Sequence, residues 1–214
     1  MDFRDLNKAC PKDNFPTPFI DQILNARARS EIFLFMDGFS GYNQIQIWLE
    51  DQHKTTFICP WATFAYKKML FGLKNVGETF QQAMSFDFHD IKNIVEAYLD
   101  DLAAHSRKRR DHYAHLQLVF KRSRKYNIRL NPNKCTFCVE SGWLLGFIVS
   151  NKWIMVDPLK VEAIVNIPPP ANIQKLHNLQ GKANFIRRFI VNYANITKDS
   201  CVCWKMGSHL YGMK

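Results

Sequence analysis

Three aspartates stand where short apolar segments end. Asp37 closes the apolar run 32–36, and the pair Asp100-Asp101 separates two further apolar segments. Burying such carboxylates is costly unless a cation or hydrogen bonds compensate. Mg²⁺ prefers hard oxygen ligands and keeps room for substrate phosphates. Three carboxylates can hold two such ions about 4 Å apart, one for an attacking hydroxyl and one for the leaving oxygens.

The same acids also fit a plainer interpretation. Asp is common in turns, so Asp100-Asp101 can be an exposed hairpin turn and Asp37 a helix or loop cap. Adjacent residues of a regular strand point to opposite faces, so only a tight turn brings both carboxylates of the pair to one point. The residue types alone therefore leave a metal site and an ordinary turn both open.

Hydrophobic patterning predicts the elements that would position these acids. The continuous apolar run 32–36 indicates a buried strand over residues 31–37 that ends at Asp37. Residues 93–105 are apolar apart from a few acids, which predicts two short strands that meet at the Asp-Asp pair. The same patterns predict strands at 44–49, 55–59 and 63–69, and helices at 78–90 and 111–125.

The composition indicates a folded domain. Of 214 residues, 47% are hydrophobic and 22% are charged, which excludes the composition of a disordered chain. No apolar run approaches the roughly 20 residues of a membrane span. The charged opening, Met1-Asp2-Phe3-Arg4-Asp5, argues against a secretory signal. We therefore expect an intracellular protein, cytoplasmic or nuclear, that does not engage a membrane.

Positive charge is concentrated in one segment. Lys and Arg number 29 against 19 Asp and Glu, which gives a net charge of +10. Ten of the basic residues and one acid fall within 105–134, so this basic segment alone carries +9. Such a segment can attract a phosphate backbone without reading its sequence. A solvated helix face remains the alternative.

A series of short motifs, in order, resembles those of reverse transcriptases. The motifs are Asp2-Phe3-Arg4-Asp5-Leu6-Asn7-Lys8, Phe35-Met36-Asp37-Gly38-Phe39-Ser40-Gly41-Tyr42-Asn43-Gln44, Phe71-Gly72-Leu73-Lys74-Asn75, Tyr98-Leu99-Asp100-Asp101, Leu130-Asn131-Pro132-Asn133-Lys134-Cys135 and Leu145-Gly146-Phe147. Two later motifs are typical of gypsy-type LTR retrotransposon polyproteins, namely Asp157-Pro158-Leu159-Lys160 and Phe185-Ile186-Arg187-Arg188-Phe189. The resemblance covers about residues 2–197.

This resemblance implies an α+β fold, a reverse transcriptase palm whose antiparallel sheet carries the acids and is flanked by helices. It implies a palm with partial fingers at 1–150 and a connecting helix with a partial thumb at 151–197. The segment 198–214 is expected to be a divergent tail, and the chain is expected to lack the upstream fingers strands. The oligomeric state stays open.

The resemblance also implies the activity, RNA-directed DNA polymerisation. The chain would extend a primer on an RNA or DNA template with deoxynucleoside triphosphates, by a two-metal mechanism. Asp37, Asp100 and Asp101 would be the catalytic residues and would hold two Mg²⁺ ions, for which Mn²⁺ is a possible substitute.

The same resemblance assigns nucleotide-binding residues. They are Phe39, Ser40, Tyr42, Phe71, Gly72 and Lys134. Backbone amides around Phe39 and Ser40 would meet the triphosphate, since turn amides form anion-binding concavities. Tyr42 would be a steric gate under the deoxyribose that leaves no space for a 2′-hydroxyl. Lys134 is a candidate proton donor to pyrophosphate, with a surface cation as the equal alternative.

Primer and template contacts are implied in the same way. They are Tyr98, Lys74, Leu145, Gly146, Lys182, Arg187 and Arg188. Lys74 would contribute to the wall over the templating base, and Leu145-Gly146 would belong to a primer grip. The cations after residue 170 would contact the phosphate backbone.

The sequence departs from the family pattern in ways that keep two alternatives open. Leu70 stands where proline is usual, and Val76-Gly77-Glu78 replaces an Ala-Pro-Ala-like turn. With the fingers expected to be partial, one alternative is a retroelement remnant that binds nucleic acid without synthesis. The other is a two-metal nuclease that uses the same carboxylates to activate water, against which the Tyr42 region argues.

Overall fold

The computed structural model describes residues 2–198, which form both strands and helices. The strands there are β1 (Ile32–Asp37), β2 (Phe57–Cys59), β3 (Ala62–Phe64), β4 (Val95–Tyr98), β5 (Asp101–Ser106), β6 (Thr136–Val139), β7 (Ser141–Leu144), β8 (Phe147–Ser150) and β9 (Ile154–Val156). The α-helices are α1 (Arg4–Ala9), α2 (Ile20–Arg27), α3 (Val76–Asp87), α4 (His112–Lys125), α5 (Pro158–Val165), α6 (Ile173–Phe185) and α7 (Tyr193–Ile196). Single 3₁₀ turns or short 3₁₀ helices lie at Gly41–Gln44, Leu49–Thr55, His89–Ile91, Arg109–Asp111, Pro132–Lys134 and Arg187–Phe189.

The chain divides into two units, Met1–Met155 and Val156–Lys214. All three acids belong to the first unit. The expected palm at 1–150 and the connecting helix with thumb at 151–197 stay predictions. The expected tail, 198–214, lies outside the described residues from position 199 onward. Within the described chain, no helix is both long enough and apolar enough to span a bilayer.

The central sheet of the first unit has four strands in the order β4-β5-β1-β6, and each neighbouring pair is antiparallel. The β1–β5 register runs from Ile32 opposite Ser106 to Asp37 opposite Asp101. Because β1 is an inner strand with both faces covered, residues 32–36 are all buried. This burial explains the continuous apolar run and confirms the predicted strand.

Alternate residues of β1 face two different packing layers. On one face, Leu34 and Met36 join a core that α3 and α4 complete. On the other face, Phe33 and Phe35 stack with ring centroids 5.6 Å apart. Strand β7 covers that face so closely that a Cβ at Gly142 would lie 2.3 Å from the Phe35 ring. The sheet is therefore held between a helical layer and a β-hairpin.

Helix α3 contributes a single apolar stripe to this core. Phe80, Met84 and Phe88 follow one another at intervals of four residues, and each is 2% exposed. This spacing places them on one helical face and confirms the helix predicted at 78–90. The helix begins earlier, at Val76, and ends at Asp87, where the 3₁₀ turn His89–Ile91 takes over.

The strand predicted at 44–49 is wrong. Only one isolated bridge, between Gln46 and Lys68, forms there. The segment lies between two 3₁₀ helices, and Leu49 is 79% exposed. Alternation makes a strand only where a neighbouring strand supplies a ladder of hydrogen bonds, and no described strand pairs along this segment.

A short hairpin follows. Strands β2 and β3 pair from Phe57 opposite Phe64 to Cys59 opposite Ala62, which confirms the predicted hairpin in a shorter form. Ile58 is 85% exposed and Trp61 is 86% exposed. The hairpin therefore presents large apolar side chains on its surface.

The helix α5 of the second unit begins with a side-chain cap. A side-chain oxygen of Asp157 accepts a hydrogen bond of 2.9 Å from the amide of Leu159, with Pro158 at the first helical position. In α6, Asn172 caps in the same way, accepting a bond of 2.8 Å from the amide of Lys175.

Candidate active site

The end of β1 and the start of β5 bring two acids together. Asp37 lies directly opposite Asp101 in the antiparallel register. Asp100 precedes Asp101 in the β4–β5 turn, and its carbonyl oxygen accepts a hydrogen bond of 3.0 Å from the amide of Gly38. Asp37 and the pair Asp100-Asp101, which are distant along the chain, therefore lie at the same end of one sheet.

A buried glutamine of α3 holds the turn that carries Asp100. Oε1 of Gln81 accepts a hydrogen bond of 2.8 Å from the amide of Leu99, and Nε2 donates one of 3.0 Å to the carbonyl of Ala97. Leu99 has φ +50°, a left-handed conformation that is uncommon for a branched side chain. The two bonds offset that strain and fix the adjacent Asp100.

The carboxylate of Asp100 packs against a glycine. A Cβ at Gly41 would lie 1.8 Å from Oδ1 of Asp100 and 3.2 Å from the ring of Phe80. Oδ1 is buried and has no hydrogen-bond partner among the described residues. Leaving a buried carboxylate oxygen unpaired is costly, so this atom calls for a partner from outside the chain.

The carboxylates influence each other's ionisation. Burial raises the pKa of Asp100, and the charges of Asp37 and Asp101 raise it further. Asp101 is more exposed, but desolvation by the surrounding protein and the charge of Asp37 raise its pKa too. The cation Lys134 lowers the pKa of both groups. The cluster therefore favours a nearby positive charge.

Lys134 supplies one such charge. Its Nζ lies 3.1 Å from Oδ2 of Asp37, with side chains 64% and 23% exposed respectively. The segment before it is hydrogen-bonded to the end of β1, since the amide of Asn131 donates to the carbonyl of Asp37 at 2.8 Å. The backbone of Lys134 is thus fixed beside the acids, while its side chain extends into solvent.

The donor set suits a hard divalent cation, since it consists of carboxylate oxygens with one orphaned buried atom. In the described arrangement, however, Asp37 is bonded to Lys134 and Oδ1 of Asp100 faces Gly41. Across residues 2–198, no group of three or more His, Cys, Asp or Glu side chains is arranged to hold a metal ion. The chemistry of the residues fits the ion, and one oxygen of Asp37 is in contact with Lys134.

An aromatic cluster lies next to Asp100. The ring of Tyr42 packs edge-on against Phe71, with centroids 5.0 Å apart, and against Phe80, with centroids 5.3 Å apart. Burial raises the pKa of the Tyr42 hydroxyl, and the charges of Asp100 and Glu78 add to the effect. Tyr42 is therefore held rigidly within electrostatic reach of the acids.

The loop after β1 departs from one expectation. The amide of Phe39, expected to meet a triphosphate, donates to the carbonyl of Arg129 at 2.9 Å. Ser40 has φ +48°, which begins the 3₁₀ turn that carries Tyr42. In this arrangement, the Phe39 amide is used to attach the loop to the segment before Lys134.

The loop 71–75 is anchored to α1. Gly72 has φ +95°, and its carbonyl accepts a hydrogen bond of 2.7 Å from Nδ2 of Asn7. Oδ1 of Asn7 accepts one of 2.8 Å from the amide of Lys74, whose Nζ bonds to the carbonyl of Cys10 at 2.8 Å. The Lys74 head group, expected near the template, thus ties down the N-terminal segment.

The other residues that were predicted to contact primer and template lie outside the loop 71–75. Leu145 and Gly146 form the β7–β8 turn with φ +53° and +80°, as in a type I′ hairpin. Tyr98 ends β4, opposite Asp101. Lys182, Arg187 and Arg188 belong to the second unit, on α6 and the 3₁₀ turn after it.

Sequence reasoning missed three positioning residues. They are Asn7, Gly41 and Gln81. Gly41 stands inside a motif that drew attention for other reasons. Asn7 and Gln81 act across long sequence separations, so no local pattern could reveal them.

The sequence matches known retroelement proteins. Residues 1–149 match the family described as Reverse transcriptase (RNA-dependent DNA polymerase). The chain is 34% identical over 206 residues to the Retrovirus-related Pol polyprotein from transposon 297 of Drosophila melanogaster, covering 96% of this chain and 20% of that protein. It is 34% identical over 199 residues to the corresponding polyprotein from transposon gypsy, covering 92% and 19%. The chain thus spans about a fifth of the length of these relatives.

The fold matches solved structures at lower identity. A foamy viral protease-reverse transcriptase in complex with double-stranded DNA superimposes with a TM-score of 0.84 at 21% identity, over 97% of this chain and 37% of that one. The foamy viral protease-reverse transcriptase in complex with an RNA/DNA hybrid superimposes with a TM-score of 0.78 at 21% identity, over 97% of this chain and 28% of that one. These likenesses establish the predicted palm-type α+β fold. On the family match and the gypsy-type relatives, the chain belongs to the reverse transcriptase (RNA-dependent DNA polymerase) family.

Proposed function

We propose that this chain catalyses RNA-directed DNA synthesis, the extension of a primer with deoxynucleotides along an RNA or DNA template. The observation that carries the proposal is the position of Asp37 opposite Asp101, with Asp100 in the adjoining turn. Membership of the reverse transcriptase family supports it. The relatives named for retroviral-type Pol polyproteins are consistent with the same chemistry.

Divalent metal ions are generally used by this family. In the proposal, Asp37, Asp100 and Asp101 hold two Mg²⁺ ions, for which Mn²⁺ can substitute. The bound ions would supply a lowered pKa at the primer 3′-hydroxyl and charge neutralisation at the leaving pyrophosphate. The raised pKa of Asp100 supports this assignment, because a cation would remove the cost of ionising three neighbouring acids.

Selection of deoxynucleotides is assigned to Tyr42. Its ring is fixed by edge-on contacts with Phe71 and Phe80, so it cannot easily move aside for a 2′-hydroxyl. Ser40 would contribute to the triphosphate site at the turn before Tyr42, as would Lys134 beside the acids. Phe39 would contribute through its half-exposed ring, since its amide is already bonded within the chain.

Primer and template contacts form the second part of the proposal. Gly72 and Lys74 would shape the wall over the templating base from a loop that Asn7 anchors. Leu145-Gly146 would position the primer end. The further contacts are assigned to Tyr98 and to the cations Lys182, Arg187 and Arg188.

A primer-extension assay on the purified chain tests the proposal. We expect extension that requires Mg²⁺ or Mn²⁺ and deoxynucleotides, on both RNA and DNA templates. Asp100→Asn should abolish extension, because the neutral amide cannot replace the anionic ligand. Asn has nearly the same size as Asp, so the packing is kept. Asp51→Asn, which breaks a surface ion pair with Lys54, is the matched control and should retain extension. Unchanged extension in Asp100→Asn would reject the assignment.

Binding without synthesis is the second candidate. The exposed side chains of Arg107, Lys108 and Arg110 in the basic segment favour it. The primer-extension assay distinguishes the two, and filter binding across a salt series beside it shows whether phosphate contacts hold the nucleic acid. Steep salt dependence with no extension by the wild type would support this candidate instead. Degradation of labelled DNA without deoxynucleotides would indicate the nuclease alternative.

A further inference from the structure

Lys134 contacts a carboxylate that is also a proposed metal ligand, that of Asp37. Its ammonium group contacts Oδ2 of Asp37 at 3.1 Å, and its charge also acts on Asp100 and Asp101. It is therefore a cation that offsets the repulsion among all three carboxylates. Among the described residues, no group of three or more His, Cys, Asp or Glu side chains is arranged to hold a metal ion.

The backbone around Lys134 keeps it at this position. The amide of Asn131 donates to the carbonyl of Asp37, Leu130 bridges to Gly38, and the amide of Phe39 donates to the carbonyl of Arg129. The segment before Lys134 is therefore attached to the end of β1 that carries the acid. The side chain itself is 64% exposed, so its head group can leave Asp37 without any change in the fold.

We propose that Lys134 is the counter-ion of Asp37 in the metal-free protein and competes with a divalent cation for that carboxylate. This inference rests on the proposed function, since it takes the three acids as metal ligands. When the ion binds, Nζ is released from Asp37. Lys134 therefore weakens metal binding, and the released ammonium becomes available to an anionic triphosphate.

Manganese binding tests the competition directly. The EPR signal of free Mn²⁺ is titrated with the full chain, in the absence of nucleotides, for the wild type, Lys134→Gln and Lys134→Arg. Lys121→Gln, an exposed position on α4, removes the same charge away from the acids and is the matched control. The Mn²⁺ binding that is lost in Asp100→Asn is the binding that depends on the three acids.

We expect Lys134→Gln to lower the Mn²⁺ dissociation constant of the Asp100-dependent site about two- to fivefold, the range for a partly exposed ion pair. Lys134→Arg, which keeps the charge, and Lys121→Gln should not tighten binding. An unchanged constant in Lys134→Gln, with Asp100-dependent binding intact, would overturn this inference alone. Mn²⁺ binding that Asp100→Asn leaves unaltered would overturn the proposed metal site and the inference together.

A second measurement follows Lys134 in the wild type and needs only the conservative Lys134→Arg variant for assignment. The side-chain ammonium resonance of Lys134, assigned by its loss in Lys134→Arg, is followed by ¹⁵N NMR as Mg²⁺ is added. We expect it to move to the position of solvated lysines as the site fills. A resonance that stays unchanged while Mg²⁺ binds would contradict the displacement.

Discussion

Gly41 and Asp100 are in contact so close that a side chain at position 41 has no room. A Cβ there would lie 1.8 Å from Oδ1 and 2.8 Å from Cγ of Asp100. Asp100 also follows Leu99, whose backbone is strained. The turn therefore restricts the backbone of Asp100, and Gly41 restricts its carboxylate. The orientation of one proposed metal ligand therefore depends on the absence of a methyl group.

Gly41→Ala should consequently damage catalysis more than folding. The methyl group displaces the carboxylate of Asp100, and a shift of about 1 Å at a reacting centre can cost on the order of 100-fold in rate. The destabilisation should stay near 1–3 kcal/mol, as for other overpacked sites. Single-turnover primer extension and thermal unfolding measure the two effects. Gly181→Ala, at a helical position with open space, is the control and should leave the rate unchanged.

Tyr42→Val should admit ribonucleotides. Removing the ring opens the space that would otherwise exclude a 2′-hydroxyl, and we expect the ratio of ribonucleotide to deoxynucleotide incorporation to rise roughly 10- to 100-fold. Competing single-nucleotide extension measures the ratio. Tyr42→Phe keeps the ring and its contacts with Phe71 and Phe80, so it should behave like the wild type. Equal ratios in the Val variant and the wild type would count against the gate.

Gln81→Met should loosen the turn that carries Asp100. The substitution keeps the volume but removes the hydrogen bonds with the amide of Leu99 and the carbonyl of Ala97, together with a longer one to Oγ of Ser85. Leaving these groups unpaired should cost about 1–3 kcal/mol of unfolding free energy. Urea denaturation measures this, and Mn²⁺ affinity should fall in parallel because the ligand is less well positioned. The same change at exposed Gln117 should alter neither quantity.

A buried histidine near the end of β5 gives a pH dependence. The Arg27 guanidinium donates to Nε2 of His105, so the ring proton is on Nδ1, which lies 2.8 Å from Oγ of Ser30. Burial, followed by the positive charge of Arg27, lowers the pKa of His105 to about 3. A protonated ring would place two cations in contact in the interior.

Stability should therefore fall as the solution is acidified. Because the folded-state pKa of His105 lies below its ordinary value of 6.5, the unfolded chain takes up the proton first. The stabilisation is fully present above about pH 6.5 and is lost as the pH falls toward 3. Between pH 7 and pH 5 this group alone should lower the free energy of unfolding by ~2 kcal/mol.

Urea denaturation at the two pH values isolates this contribution. Asp100 and Asp101, whose pKa values are raised, act in the opposite direction, since their protonation favours the folded state. Comparison with His105→Gln cancels their effect, and the loss on acidification should be smaller in that variant. His53→Gln, at an exposed position, should keep the full loss. An equal loss in all three proteins would contradict the assignment to His105.

The elements of this fold that could be predicted are those with a local pattern in the sequence. Strand β1 and the β4–β5 hairpin could be predicted because their burial is recorded locally, as apolar runs that end in acids. The helix α3 was equally visible, through Phe80, Met84 and Phe88. The strand predicted at 44–49 was wrong because alternating polarity shows which side chains share a face, but not whether a neighbouring strand is present to pair with.

The site is predictable only in part for the same reason. The three acids and Tyr42 were assigned from motifs, and their roles stay proposals. The contact between Gly41 and Asp100, and the bonds from Gln81 to the turn, join residues that are distant along the chain. The pairing of Lys134 with Asp37 likewise joins two residues that are far apart along the chain.

The β2–β3 hairpin has a practical consequence for handling this protein. Ile58 and Trp61 place broad apolar surfaces in water on a two-stranded ribbon that has little core of its own. We expect chains in a concentrated preparation to associate through these side chains. Biochemical work on the chain will therefore be easiest at low concentration, or after the two positions have been replaced by charged residues.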